Sequence, residues 1–329
     1  MPADNGMSRR EFLLRSTAAG MAGAATLAVP KAAMAAEPAP AGTLGTFIDL
    51  TKCIGCGACT EACTLKNENR YPEPVDDIPV NWPTGKYEDW SEKRDLKDRF
   101  TPYNWTFVET VELDGGTLNV PRKCMHCDNP PCANLCPFSV QEKTASGAVV
   151  INEKGCMGGA KCRDVCPWEV PQRQAGVGIY MNLAPGLVGG GVMYKCDMCV
   201  DLVQQGGQPA CVSACPTGAQ RFGPKDQMKA LAEARAAEIG GHIYGAAENG
   251  GTSTFYVSPV PFAEIDAAIA KRKAELPEPM QKAVPGMAPD VENYLDTAGG
   301  LATSYAIAPI AGVAAAGWAA AKAWKGGSE

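Results

Sequence analysis

Apolar and polar positions along this chain change period every few residues, so the pattern predicts short elements. Phe47-Ile48-Asp49-Leu50 reads as a short strand. Residues 105–112 and 117–120 read as the two arms of a β-hairpin, with Leu113-Asp114-Gly115-Gly116 at the turn. Beyond Phe222, helical spacing recurs over Lys225–Ile239 and over residues 262–276, with a strand at 254–257 between them. Two stretches differ from this middle region. Residues 18–30 are mildly apolar, and residues 297–321 form a run of 25 without a charge. About 20 apolar residues suffice to cross a bilayer, so the second run predicts a transmembrane helix. Its alanine and glycine content suits close packing against another membrane helix.

Charge sharpens the reading of both ends. Ser8-Arg9-Arg10-Glu11-Phe12-Leu13-Leu14 is a twin-arginine signature ahead of the first apolar stretch, and Ala33-Met34-Ala35 supplies a cleavage site. Asp290, Glu292 and Asp296 precede the second run, while Lys322 and Lys325 follow it. The positive-inside rule then places the C-terminus in the cytoplasm and the bulk of the chain outside. The expected location is the periplasmic face of the cytoplasmic membrane. A formal net charge of −6, with no basic stripe, argues against nucleic-acid binding.

Composition shows what organises the middle. The chain has 36 glycines and 26 prolines, the balance expected where metal centres rather than long helices hold a core together. Only two histidines occur, His126 and His242, which argues against haem ligation and histidine-based zinc sites. All 15 cysteines fall into four tight groups: Cys53, Cys56, Cys59 and Cys63; Cys124, Cys127, Cys132 and Cys136; Cys156, Cys162 and Cys166; and Cys196, Cys199, Cys211 and Cys215. An odd total at this spacing fits a disulfide framework poorly, and zinc ribbons use paired knuckles rather than four-cysteine runs. The spacing is that of iron–sulfur ligation. Twin-arginine export carries folded proteins, so thiolates can be committed to iron before export. In the third group Gly159 stands where the repeat would place a sulfur. Groups two, three and four each end in Cys-Pro, at Pro137, Pro167 and Pro216; group one has Thr64 in that place.

This layout resembles the four-cluster iron–sulfur (beta) subunits of membrane-associated bacterial oxidoreductases, the family of the hydrogenase, formate dehydrogenase and dimethyl-sulfoxide-reductase-type enzymes. The resemblance covers residues 44–223 and departs from the full spacing pattern at Gly159. It implies an α+β fold: two ferredoxin-like dicluster cores in pseudo-twofold arrangement, with a hairpin insertion and a C-terminal transmembrane helix. The corresponding organisation is a leader at 1–35, a linker at 36–43, a four-cluster domain at 44–223 interrupted at 66–122, a cap at 224–296, a membrane helix at 297–321 and a cytoplasmic tail at 322–329.

The resemblance also implies a crossed pairing of groups. One cluster takes Cys53, Cys56, Cys59 and Cys215; a second Cys63, Cys196, Cys199 and Cys211; a third Cys124, Cys127, Cys132 and Cys166. The fourth is left with Cys136, Cys156 and Cys162. The expected cofactors are three [4Fe-4S] clusters and one [3Fe-4S] cluster. The alternative is four [4Fe-4S] clusters, the last with water or an oxygen such as that of Asp164 on its fourth iron. Two readings are open for His126, a donor to cluster sulfur or a polar loop residue. The implied function is electron transfer without catalysis, between a catalytic subunit or multihaem cytochrome outside the membrane and a quinone-reactive membrane subunit. The alternative is a redox enzyme acting alone at an open iron corner near Gly159; no dinucleotide fingerprint, haem motif or nucleophile constellation supports it.

Overall fold

The computed structural model describes residues 42–80, 85–183, 185, 190–277, 283–304 and 306. In chain order, β1 (Leu44–Asp49) leads to α1 (Ala58–Asn67), followed by the hairpin strands β2 (Phe107–Leu113) and β3 (Gly116–Arg122). The next segment is built of short pieces: α2 (Pro131–Asn134), β4 (Gln141–Lys143), β5 (Val149–Ile151), α3 (Lys161–Asp164), β6 (Gln172–Gln174), α4 (Tyr180–Leu183) and β7 (Val192–Tyr194). It continues through α5 (Val200–Gln204), α6 (Ala210–Ser213) and β8 (Gln220–Pro224). The last elements are α7 (Lys225–Ile239), β9 (His242–Tyr244), β10 (Thr254–Ser258) and α8 (Phe262–Glu275).

One four-stranded sheet, in the order β8-β1-β10-β9, ties the two ends of the described chain together. β1 is buried at five of its six positions because it lies centrally, antiparallel to β8 (Thr46 opposite Phe222) and parallel to β10 (Phe47 opposite Phe255). α7 covers one face of this sheet through Met228, Ala232 and Ala236, which pack against Phe47, Phe255 and Val257. Three two-stranded ribbons complete the strand structure: β2-β3, β4-β5 and β6-β7.

The β2-β3 ribbon pairs Leu113 with Gly116, which leaves Asp114-Gly115 as a two-residue turn. Buried and more exposed positions alternate along β2, so one face looks inward. That face carries Glu109, whose carboxylate is fully buried between Arg122 (2.7 Å) and Arg272 of α8 (2.7 Å). Arg122 also donates to the Gly286 carbonyl, so the hairpin, α8 and the chain beyond α8 are joined at one point.

This architecture corrects the expected fold. The described chain is a mixed α/β arrangement of small sheets rather than the expected α+β fold closed by a transmembrane helix. Its largest sheet draws strands from the start, middle and end of the chain. Among the described residues no helix is long and apolar enough to cross a membrane. Residues 298–304 and 306 are helical, and the remainder of the 297–321 run lies outside the described residues, as does the tail at 322–329. Alanine and glycine dominate that run, so each residue offers little apolar surface to lipid, and length without charge overstated its case. The leader at 1–35, most of the linker at 36–43 and residues 186–189 also lie outside the described residues.

Candidate metal centres

α1 explains how closely spaced cysteines separate. The loop before it turns through Gly55 and Gly57, both at φ +73°, and Gly55 has the Asn119 amide where a Cβ would stand. The helix then sets Cys59 and Cys63 one turn apart on its buried face. The two thiols line different cavities. Cys59 faces one together with Cys53, Cys56 and Cys215. Cys63 faces another together with Cys196, Cys199 and Cys211.

A third cavity is lined by Cys124, Cys127, Cys132 and Cys166. The remaining thiols, Cys136, Cys156 and Cys162, lie within each other's electrostatic reach at a fourth position. The structure therefore gathers the 15 cysteines into three quartets and one trio. Each quartet combines three cysteines of one group with one from a distant group.

The chemistry of these positions is that of metal thiolates. All 15 cysteines are free of disulfides. Burial, then neighbouring thiols, pushes Cys59 up to about 11; burial likewise takes Cys166 to about 11 and Cys162 to about 12. Burial pushes Cys63, Cys127 and Cys132 up as well. Apolar thiol clusters of this kind resist ionisation until a cation is supplied, so metal binding and folding are coupled here. Cys215 runs the other way. Burial would raise it, but backbone N–H groups of Gln220, Ala219 and Thr217 and the Thr217 hydroxyl hold it below the ordinary thiol value.

Among the described residues no three cysteine, histidine or carboxylate side chains converge tightly enough to grip one metal ion. Sulfurs about 2.3 Å from a single zinc would have to be nearly in contact with one another. Quartets spread around a cavity fit a multi-iron cluster instead.

Donors aimed at the sulfurs surround the cavities. Asn249 Nδ2 lies 3.1 Å from Cys127 Sγ, Asn67 Nδ2 lies 3.6 Å from Cys63 Sγ, and the Met193 N–H is 3.4 Å from Cys156 Sγ. His126 is buried; its Nδ1 accepts from the Val149 N–H at 3.0 Å, which leaves Nε2 to carry the proton 3.7 Å from Cys196 Sγ. Burial and then the nearby lysines hold His126 well below its ordinary pKa, in the neutral form. Of its two sequence readings, the geometry selects the donor to sulfur.

Lys123 Nζ stands 3.7 Å from Cys211 Sγ and Lys195 Nζ 3.9 Å from Cys124 Sγ. Sequence reasoning missed Lys123, Lys195, Asn67 and Asn249. The lysines did carry a signal, since each immediately precedes the first cysteine of a group. At Gly159, which is exposed, nothing lies within 4 Å of a Cβ position.

Two family models, each described as a 4Fe-4S dicluster domain, match residues 52–140 and 117–225, together more than half of the chain. The chain is 29% identical over 299 residues to the hydrogenase-2 operon protein HybA of Escherichia coli O157:H7, covering 79% of this chain and 83% of that protein. It is 33% identical over 227 residues to the formate dehydrogenase-O iron-sulfur subunit of Escherichia coli K12, covering 64% of this chain and 65% of that protein. The chain belongs to the iron–sulfur subunits of the hydrogenase and formate dehydrogenase type. A formate dehydrogenase iron-sulfur subunit of Haemophilus influenzae is 32% identical over 231 residues, covering 65% and 64% of the two chains. The match thus spans just under two thirds of these formate dehydrogenase subunits. Membership makes this an iron–sulfur electron-transfer subunit and accounts for thiol-lined cavities placed side by side.

Proposed function

We propose that this chain relays electrons through four clusters and has no catalytic chemistry of its own. The first centre is held by Cys53, Cys56, Cys59 and Cys215, and the second by Cys63, Cys196, Cys199 and Cys211. The third is held by Cys124, Cys127, Cys132 and Cys166, and the fourth by Cys136, Cys156 and Cys162. When bound, each cluster supplies a one-electron store; the protein fixes its position, excludes water and directs hydrogen bonds at its sulfurs. The observation that carries this reading is the splitting of neighbouring cysteines between adjacent cavities. Cys59 and Cys63 of α1 face two of them, and Cys211 and Cys215 at α6 face the same two. One turn of helix therefore spans the step between these two centres, the short separation a relay requires.

The first three centres are read as [4Fe-4S] and the fourth as [3Fe-4S], because three thiolates leave one cubane corner without a protein sulfur. The partners are a catalytic oxidoreductase subunit or multihaem cytochrome on one side and a quinone-reactive membrane subunit on the other. The names of HybA and of the formate dehydrogenase subunits support the catalytic oxidoreductase partner. The twin-arginine signature at Arg9-Arg10 supports a place on the periplasmic face of the cytoplasmic membrane, held there by the membrane partner.

The test is purification of the intact complex from membranes, identification of the attached subunits, and iron, labile-sulfide and EPR analysis of this chain. Four clusters and a separate catalytic subunit are expected. Turnover of a natural substrate by this chain alone would replace the relay with an enzyme working at the corner beside Gly159.

A further inference from the structure

Lys123 precedes Cys124 and Lys195 precedes Cys196, yet neither ammonium stays with the centre of its own neighbour. Lys123 belongs to the loop of the third centre, and its Nζ reaches Cys211 of the second, 3.7 Å away. Lys195 belongs to the loop of the second centre, and its Nζ reaches Cys124 of the third, 3.9 Å away. His126, on the third centre's loop, crosses the same joint to Cys196 of the second.

Both lysines are buried, at 6% and 4% exposure. A buried ammonium requires an anion or a full set of acceptors. The ion pairs of the described residues include neither lysine, and Asp197, beside Cys196, is engaged by Arg70 at 2.6 Å. The other partners of Lys123 are the neutral oxygens of Thr46 (3.3 Å) and Gln220 (3.4 Å). Those of Lys195 are the carbonyls of Val149 and Cys196. The nearest anionic charge each lysine faces is therefore thiolate, to which the Asp197 carboxylate adds at Lys195.

We propose that Lys123 and Lys195 are a crossed pair of fixed cations that raise the reduction potentials of the two middle centres. Each acts chiefly on the centre across the joint from the cysteine it precedes. Reduction adds one negative charge to a centre, and a buried cation beside a ligating sulfur stabilises that added charge more than the oxidised state. Because each lysine is anchored in one loop and acts on the other centre, the arrangement also fixes the two loops against each other. The inference rests on the ligand assignment proposed above.

The experiment is an EPR-monitored redox titration of the complex containing Lys123→Met, Lys195→Met, Lys123→Arg or Lys195→Arg. Cys199→Ser and Cys132→Ser variants identify the signals of the second and third centres. Iron and labile-sulfide content, measured on every sample, tests the ligand assignment separately from the potentials. With four clusters retained, Lys123→Met is expected to lower the midpoint of the second centre more than that of the third. Lys195→Met is expected to do the reverse, while both arginine variants stay near the parent values. Unchanged midpoints in the methionine variants, or shifts confined to the centre of the adjacent cysteine, would overturn the proposal. If a methionine variant loses a cluster, its glutamine counterpart is titrated instead. Loss in both assigns that lysine to assembly and equally overturns the tuning role.

Discussion

Gly158 and Gly159 stand side by side in the third cysteine group, and their surroundings differ completely. Gly158 sits at φ +68° with the backbone of Gly191 pressed against it, so a Cβ would collide with main chain just before β7, whose Met193 is the donor to Cys156. Gly158→Ala should therefore cost about 1–3 kcal/mol and lower iron content, read by thermal melting and iron assay. Gly159 has no such constraint: its Cβ position is open and exposed. Gly159→Cys should fold normally, remove the oxidised-state EPR signal of a three-iron centre and add about one iron per chain. A persistent three-iron signal would show that the added thiol does not reach the open corner. Cysteine spacing made these groups legible because C-x₂-C loops are local. The lysines and asparagines aimed at the sulfurs were not legible, because Lys123 meets Cys211 and Asn249 meets Cys127 only once the chain has folded.

Between elements, buried charge does the joining. Glu109 on β2 is fully buried between Arg122 of β3 and Arg272 of α8. Glu109→Ala leaves two guanidiniums facing each other and should cost about 3–5 kcal/mol, read as a fall in Tm, whereas Arg272→Lys should cost less. A second strap is more exposed. Glu88, in the segment between α1 and the hairpin, pairs with Arg163 at 2.7 Å and with Arg173 at 2.6 Å, tying α3, which carries Cys162, to β6. Burial alone would raise the Glu88 carboxyl, but the hydrogen bonds and charges of Arg163 and Arg173 hold it below the usual range. A depressed carboxyl contributes stability that is complete above the unfolded value of about 4.3 and is lost as pH falls through the folded value. Glu88→Gln should thus cost roughly 1 kcal/mol near neutrality, and the gap in Tm from wild type should narrow as the pH is taken down to about 4. The helix at Lys225–Ile239 was legible from its period, and the strand at Thr254–Ser258 from its composition. The pairing of β1 with both β8 and β10 was not, since period specifies that a strand exists and not which distant strand it meets.

At the scale of the molecule, the thiol-lined positions follow one another in a single order. Cys59 and Cys63 on α1 join the first to the second, and Cys124 lies within electrostatic reach of Cys196 across the second and third. The sequence neighbours Cys162 and Cys166 join the third to the fourth. Each joint brings thiols of two centres together, and no described contact of this kind bypasses one. A linear series has a consequence that a branched or ring arrangement lacks: removing an inner member isolates the far end. Cys132→Ser, which takes one thiol from the third position, should leave the first two centres reducible at their usual rates when electrons enter at the first. The fourth should then fill far more slowly from that side. Freeze-quench EPR of the intact complex, reduced through its natural donor, resolves the order of filling. Dithionite, which reaches each centre from solvent, serves as the control that all remaining centres are intact. If electrons enter at the fourth position instead, the same variant should strand them there and starve the first two. Equal filling rates on both sides of the missing centre, from either end, would show that electrons pass by another route and that the order of the cavities is not the order of the relay.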